Sequence, residues 1–142
     1  NVLWLAGKGK TSDVKIKNVR CAEFCENMGE AYALADVCVS RAGANTLFEL
    51  IALGIPTLAV PLPKGNSRGD QVENAAYFKK KGVISVLSED KLTPESLEYS
   101  INRLFENAKK YTDACKKLDL RSANERVLSF LTKYAGNKKR IN

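Results

Sequence analysis

Apolar positions along this chain fall into short continuous runs that alternate with longer stretches of helical spacing. Val2 to Ala6 is an apolar run stopped by Gly7, the pattern of a strand buried on both faces of a parallel sheet. Asn18 to Cys21 is a second short strand. After the loop Ala22-Glu23-Phe24-Cys25, the residues Met28, Ala31, Tyr32 and Ala35 recur as one face of a short amphipathic helix. Further on, Val72, Ala75, Ala76 and Lys79 share a face in a helix closed by Gly82, and Val83 to Leu87 reads as a strand. Thr93 and Pro94 open another helix, with Thr at the cap position and Pro just inside. Leu97, Ile101, Leu104 and Phe105 mark its core stripe. Asp113 to Tyr134 is a last helical stretch, with Val127, Leu128, Leu131 and Tyr134 apolar. The basic tail 137–142 is expected to be disordered.

The centre of this pattern is Asp36 to Pro63. Val37 to Val39 predicts a strand, and the turn around Gly43 leads into a helix with Leu47, Leu50 and Ile51 on one side. Gly54 and Pro56 stop that helix, and Thr57 to Val60 is the next strand. A strand, a tight turn, a helix and a strand make one βαβ unit, whose turn presents unpaired backbone N–H groups at a helix N-terminus. Such a terminus suits a phosphate or diphosphate. Strands alternating with helices predict a Rossmann-like parallel sheet with helices on both faces, and 136 residues of it form one domain, 1–136.

Composition narrows the options. The chain has 142 residues, is 44% hydrophobic, and carries a net charge of +7. The charge is dispersed, which favours anionic partners such as nucleotide phosphates or an anionic membrane surface. No aromatic RNA-binding pattern, zinc-finger spacing or helix-turn-helix signal points to nucleic acid. There is no histidine, and Cys21, Cys25, Cys38 and Cys115 have no metal-site spacing, so no metal and no cofactor is called for. A reduced, cytoplasmic chain is expected. The sequence starts without a leader or an initiating Met and is read as beginning inside a larger protein. Gly7-Lys8-Gly9-Lys10-Thr11 ends like a phosphate loop but lacks the first glycine at the required spacing, so it is read as a polar loop.

Several motifs together resemble the donor-binding half of the MurG family of glycosyltransferases. They are Ser40-Arg41-Ala42-Gly43-Ala44-Asn45-Thr46, then Phe48-Glu49-Leu50, Gly54-Ile55-Pro56 and Pro61, then Arg68-Gly69-Asp70-Gln71 with Asn74-Ala75. The resemblance covers roughly Asn1 to Leu104 and implies the C-terminal half of a GT-B glycosyltransferase. Its enzymes move N-acetylglucosamine from UDP-N-acetylglucosamine onto a lipid-linked acceptor, lipid I, in peptidoglycan synthesis. They act on the inner face of the cell membrane. The family's backbone contact to uracil falls on Cys25, its diphosphate contacts on Ala44, Asn45 and Thr46, and its ribose carboxylate on Glu49. Its sugar contacts fall on Asp70 and Gln71, with Asn74 close behind. Arg41 either neutralises diphosphate or pairs with a nearby carboxylate.

The residues themselves fit these roles. A carboxylate offers a cis-diol several lone pairs, and it lies about one helical turn beyond Asn45 and Thr46. Plainer readings remain beside them: Thr46-x-x-Glu49 as a capping box, Asp70 as the cap of the helix that Gln71 begins, and Asn74 as a solvated helix residue. The family also has a strand before Val2, a Gly-rich loop and an acceptor domain with a histidine base. None of these is in the sequence, so no catalytic residue is assigned and the chain alone is expected to bind donor without transferring it. The competing functions are a stand-alone donor-binding subunit of a split GlcNAc transferase, or another GT-B UDP-sugar enzyme.

Overall fold

The computed structural model describes residues 1–11, 15–65 and 69–118. They form two compact units, Asn1–Ala35 and a second beginning at Asp36. Among the described residues the strands pair in parallel. They divide into a two-stranded and a three-stranded sheet rather than the single sheet expected.

The first unit contains β1 (Val2–Leu5), β2 (Val19–Ala22) and α1 (Met28–Ala33). Asn27 opens α1, its side chain accepting from the Glu30 amide. Gly7 and Gly9 both take positive φ, at 90° and 71°, in the turn after β1, where the Gly9 N–H donates to the Glu23 carboxylate. The Gly-Lys stretch is therefore a tight polar turn. Contrary to expectation, β1 is not buried on both faces: Val2, Leu3, Trp4 and Leu5 are all exposed. Within this unit one partner strand and a six-residue helix leave too little surface to cover it.

The second unit runs β3 (Cys38–Ser40), α2 (Ala44–Leu53), β4 (Thr57–Ala59), α3 (Asp70–Lys80), β5 (Ser85–Val86), a 3-10 turn (Glu89–Lys91), α4 (Pro94–Glu106) and α5 (Ala108–Lys117). The strands lie in the order β3-β4-β5, with α2 and α3 as crossovers. The central strand β4 is fully buried, and successive side chains face opposite layers. Ala59 joins Leu47 and Ile51 of α2, Ala75 and Phe78 of α3, and Cys115 of α5. Leu58 and Val60 join Leu104 of α4 and Leu87. Helices thus cover both faces of this sheet, as parallel strands require.

Local signals placed most boundaries. Gly54 ends α2 in the left-handed region at φ 73°, and Gly82 follows α3 at φ 72°. Thr93 caps α4 in a reciprocal capping box with Ser96, with Pro94 first inside. Faces were less legible. In α3 the buried residues are Ala75 and Phe78, while Ala76 and Lys79 are exposed. In α4, Leu104 is buried but Phe105 is 51% exposed. The last helix starts at Ala108, before the expected Asp113; the remainder of that stretch from residue 119, and the basic tail, lie outside the described residues.

All four cysteines are free thiols. Burial pushes the Cys38 and Cys115 thiols above their usual range, and Cys115 donates to the Val83 carbonyl at 3.6 Å. Because the thiolate is the reactive form, alkylation near neutral pH is expected to modify Cys21 and Cys25 first and Cys115 only in denaturant. Peptide mass spectrometry over a labelling time course checks this; equal rates at all four would contradict it.

Candidate functional site

The carboxyl ends of β3, β4 and β5 place three loops along one edge of the second unit's sheet, the side on which open α/β sheets bind ligands. The loop after β3 is Arg41-Ala42-Gly43, and Gly43 is the N-cap of α2 with φ −64° and ψ 135°. That conformation is open to any residue, and a Cβ there would meet nothing within 4 Å. Neither backbone strain nor internal packing demands glycine at this position. With no side chain, Gly43 cannot cap the helix, and the first turn of α2 holds no acidic residue. The first intrahelical bond is Leu47 N–H to the Gly43 carbonyl at 3.0 Å. The amides of Ala44, Asn45 and Thr46 have no partner among the described residues. A helix N-terminus in this state carries partial positive charge and outward N–H donors.

The capping-box reading of Thr46 and Glu49 is thereby excluded. Thr46 is the third residue inside the helix, not the cap. Asn45 and Glu49 stand four apart on the exposed side of α2, and Thr46 stands beside them, half-buried. The outward amides of 44–46 and the Glu49 carboxylate therefore share one helix, about a turn apart.

Helix α3 frames the same edge. Its cap is Gly69, at φ 84°, and Asp70 is its first helical residue, so Asp70 is not the cap; its Oδ1 accepts from the Gln71 amide at 3.0 Å. Gln71 Oε1 accepts from the Leu62 N–H in the loop after β4, at 3.1 Å. Asn74 Nδ2 donates to the Ala42 carbonyl at 3.3 Å, so Asn74 is a strut and not a solvated surface residue. With those ends committed, Gln71 has an NH₂ donor to offer a ligand and Asn74 an acceptor oxygen.

Arg41 pairs with a carboxylate. Its guanidinium forks onto Glu89 at 2.8 and 3.2 Å and also donates to the Val60 carbonyl at 3.2 Å. In the first unit, Cys25 follows β2 and its thiol donates to the Asn27 carbonyl. Its backbone N–H and C=O have no partner among the described residues, and the neighbouring Phe24 ring is 77% exposed. Arg68 of the motif lies outside the described residues. Among the described residues no group of acidic, Cys or His side chains could hold a metal ion.

The family model of the glycosyltransferase family 28 C-terminal domain matches residues 2–127. The chain belongs to this family. The fold of the family 28 domain is accordingly that of the C-terminal half of a GT-B glycosyltransferase, as its motifs implied. Its relatives include the UDP-N-acetylglucosamine--N-acetylmuramyl-(pentapeptide) pyrophosphoryl-undecaprenol N-acetylglucosamine transferase of Geobacillus thermodenitrificans. That protein is 44% identical over 120 residues, 82% of this chain and 34% of the relative. The transferase of the same name from Clostridium perfringens is 40% identical over 139 residues, 95% of this chain and 39% of the relative. Among solved structures, Acinetobacter baumannii MurG superposes with a TM-score of 0.70 at 26% identity, covering 81% of this chain and 35% of that one. The domain thus spans little more than a third of the length of these relatives.

Two features of the family 28 domain escaped sequence reasoning. Gly43 carries no role of its own in the turn and motif that contain it, although glycine at a helix start that offers no cap is a usable signal. Glu89 was not singled out at all, because nothing local marks a residue 48 positions from its partner.

Proposed function

We propose that this domain holds the nucleotide-sugar donor, UDP-N-acetylglucosamine, for an inverting N-acetylglucosaminyltransferase whose acceptor is the lipid-linked precursor of peptidoglycan. The observation that carries the reading is the uncapped, acid-free N-terminus of α2, with Glu49 one turn along it. The diphosphate sits on the Ala44, Asn45 and Thr46 amides, with the Asn45 and Thr46 side chains supplementing them. Glu49 accepts from the ribose hydroxyls. Asp70, Gln71 and Asn74 face the sugar. As the glycosidic bond breaks, negative charge grows on the leaving UDP, and fixed N–H dipoles stabilise it without reorganising. The acceptor and a general base come from elsewhere in the enzyme. The reaction takes place at the inner face of the cell membrane, to which the basic surface is attracted. Among the described residues no helix is long and apolar enough to cross a membrane.

Calorimetric titration of the parent chain and Glu49→Ala with UDP and UDP-N-acetylglucosamine tests this. Loss of charge-assisted bonds to the ribose is expected to weaken both ligands by about 1.5–3 kcal/mol, roughly 10- to 100-fold. Failure of both ligands to bind the parent at about 1 mM, or equal binding by the variant, sinks the reading.

A further inference from the structure

We propose that Arg41 and Glu89 form a clamp that shapes the diphosphate loop, making Arg41 a positioning residue and not a phosphate ligand. This rests on the donor-site reading above and concerns how that site is built. Arg41 lies one residue beyond β3 and two before the cap of α2. Three of its donor bonds are committed, two to Glu89 after β5 and one to the Val60 carbonyl after β4. A single guanidinium therefore ties together the loops at the ends of all three strands of this sheet.

The rest of the loop is held just as fully. The Ser40 hydroxyl donates to the Arg41 carbonyl at 3.0 Å, Asn74 to the Ala42 carbonyl at 3.3 Å, and the Leu47 amide to the Gly43 carbonyl at 3.0 Å. Ala42 is completely buried. With three successive carbonyls engaged, the peptide planes entering α2 have little freedom, and the amides of 44–46 are already aimed before ligand arrives. Preorganised donors of this kind bind developing charge without first paying for order. The side chains of the ion pair are 47% and 35% exposed. A pair that open to water contributes little to global stability, so its consequence is local geometry. The planar fork matters too: a lysine would keep the charge but could not bridge both carboxylate oxygens.

The two roles of Arg41 predict opposite signs for one variant. If Glu89 positions Arg41, Glu89→Gln weakens UDP binding by roughly tenfold, because a displaced loop misaims its donors. Arg41→Lys then loses at least as much, the exchanged pair R41E/E89R recovers part of the loss, and uridine, lacking phosphate, binds all variants alike. Amide resonances of Ala42 to Thr46 shift in Glu89→Gln while the melting temperature stays near the parent's. If Arg41 is a phosphate ligand that Glu89 restrains, Glu89→Gln frees it and tightens UDP, with Arg41→Lys close to parent. That result, or an unchanged affinity in Glu89→Gln, overturns the clamp alone. Absence of UDP binding in the parent overturns the donor-site reading and the clamp with it.

Discussion

Gly43→Asp is expected to make the protein more stable and to abolish its binding of UDP. An Asp at the N-cap has the backbone conformation it needs and an empty space to enter. Its carboxylate would accept from the Asn45 or Thr46 amide and face the positive end of α2, which has no acid in its first turn. The cap contributes a few tenths of a kcal/mol and the charge at the helix terminus about 0.3–1 kcal/mol, together a rise of about 2–5 °C in melting temperature. The same carboxylate occupies the donors proposed for the diphosphate and opposes its charge at a few ångströms. Affinity for UDP should fall by more than about 100-fold, as charge repulsion and lost hydrogen bonds add. Gly43→Ser caps without the charge and should fall between. Thermal unfolding and titration on the same preparations check both signs together. An Asp variant that is stabilised and still binds UDP like the parent would remove the diphosphate from α2.

The second large effect is on the fold. Leu58→Ala should destabilise the second unit by about 3 kcal/mol, a large share of the stability ordinary domains possess. Leu58 is completely buried on the central strand, paired in register with Val39 and Ser85, and packed with Val60, Leu87 and Leu104. Truncation leaves a cavity that flanking strands cannot close without breaking their ladders. Denaturant unfolding should show a lower midpoint with an unchanged slope. A loss below about 1 kcal/mol would mean that the layer between β4 and α4 repacks freely.

Much of the second unit was legible because its signals are local. Gly54 ends α2 where the sequence places a stop, since a left-handed residue is cheap only for glycine. Thr93 and Pro94 open α4 because a hydroxyl and a residue without an N–H suit the first turn. The βαβ unit that presents Ala44, Asn45, Thr46 and Glu49 was visible from periodicity and punctuation alone. Helix faces were harder, since Ala76 and Lys79 satisfy the spacing in α3 as well as Phe78 does. The burial of Ala75 and Phe78 among Leu47, Ile51 and Ala59 shows which side turns inward.

By itself, then, the sequence determined the order of elements, most of the stops and caps that bound them, and the turn that leads into α2. These depend on residues within a turn or two of one another. Tertiary structure decided the rest: that Gln71 and Asn74 brace the loops after β4 and β3, and that Arg41 is gripped by Glu89. It also decided that β1 is exposed within its unit. Each of these depends on where distant backbone segments come together in space, and a chain pattern of period two or 3.6 contains no term for that distance.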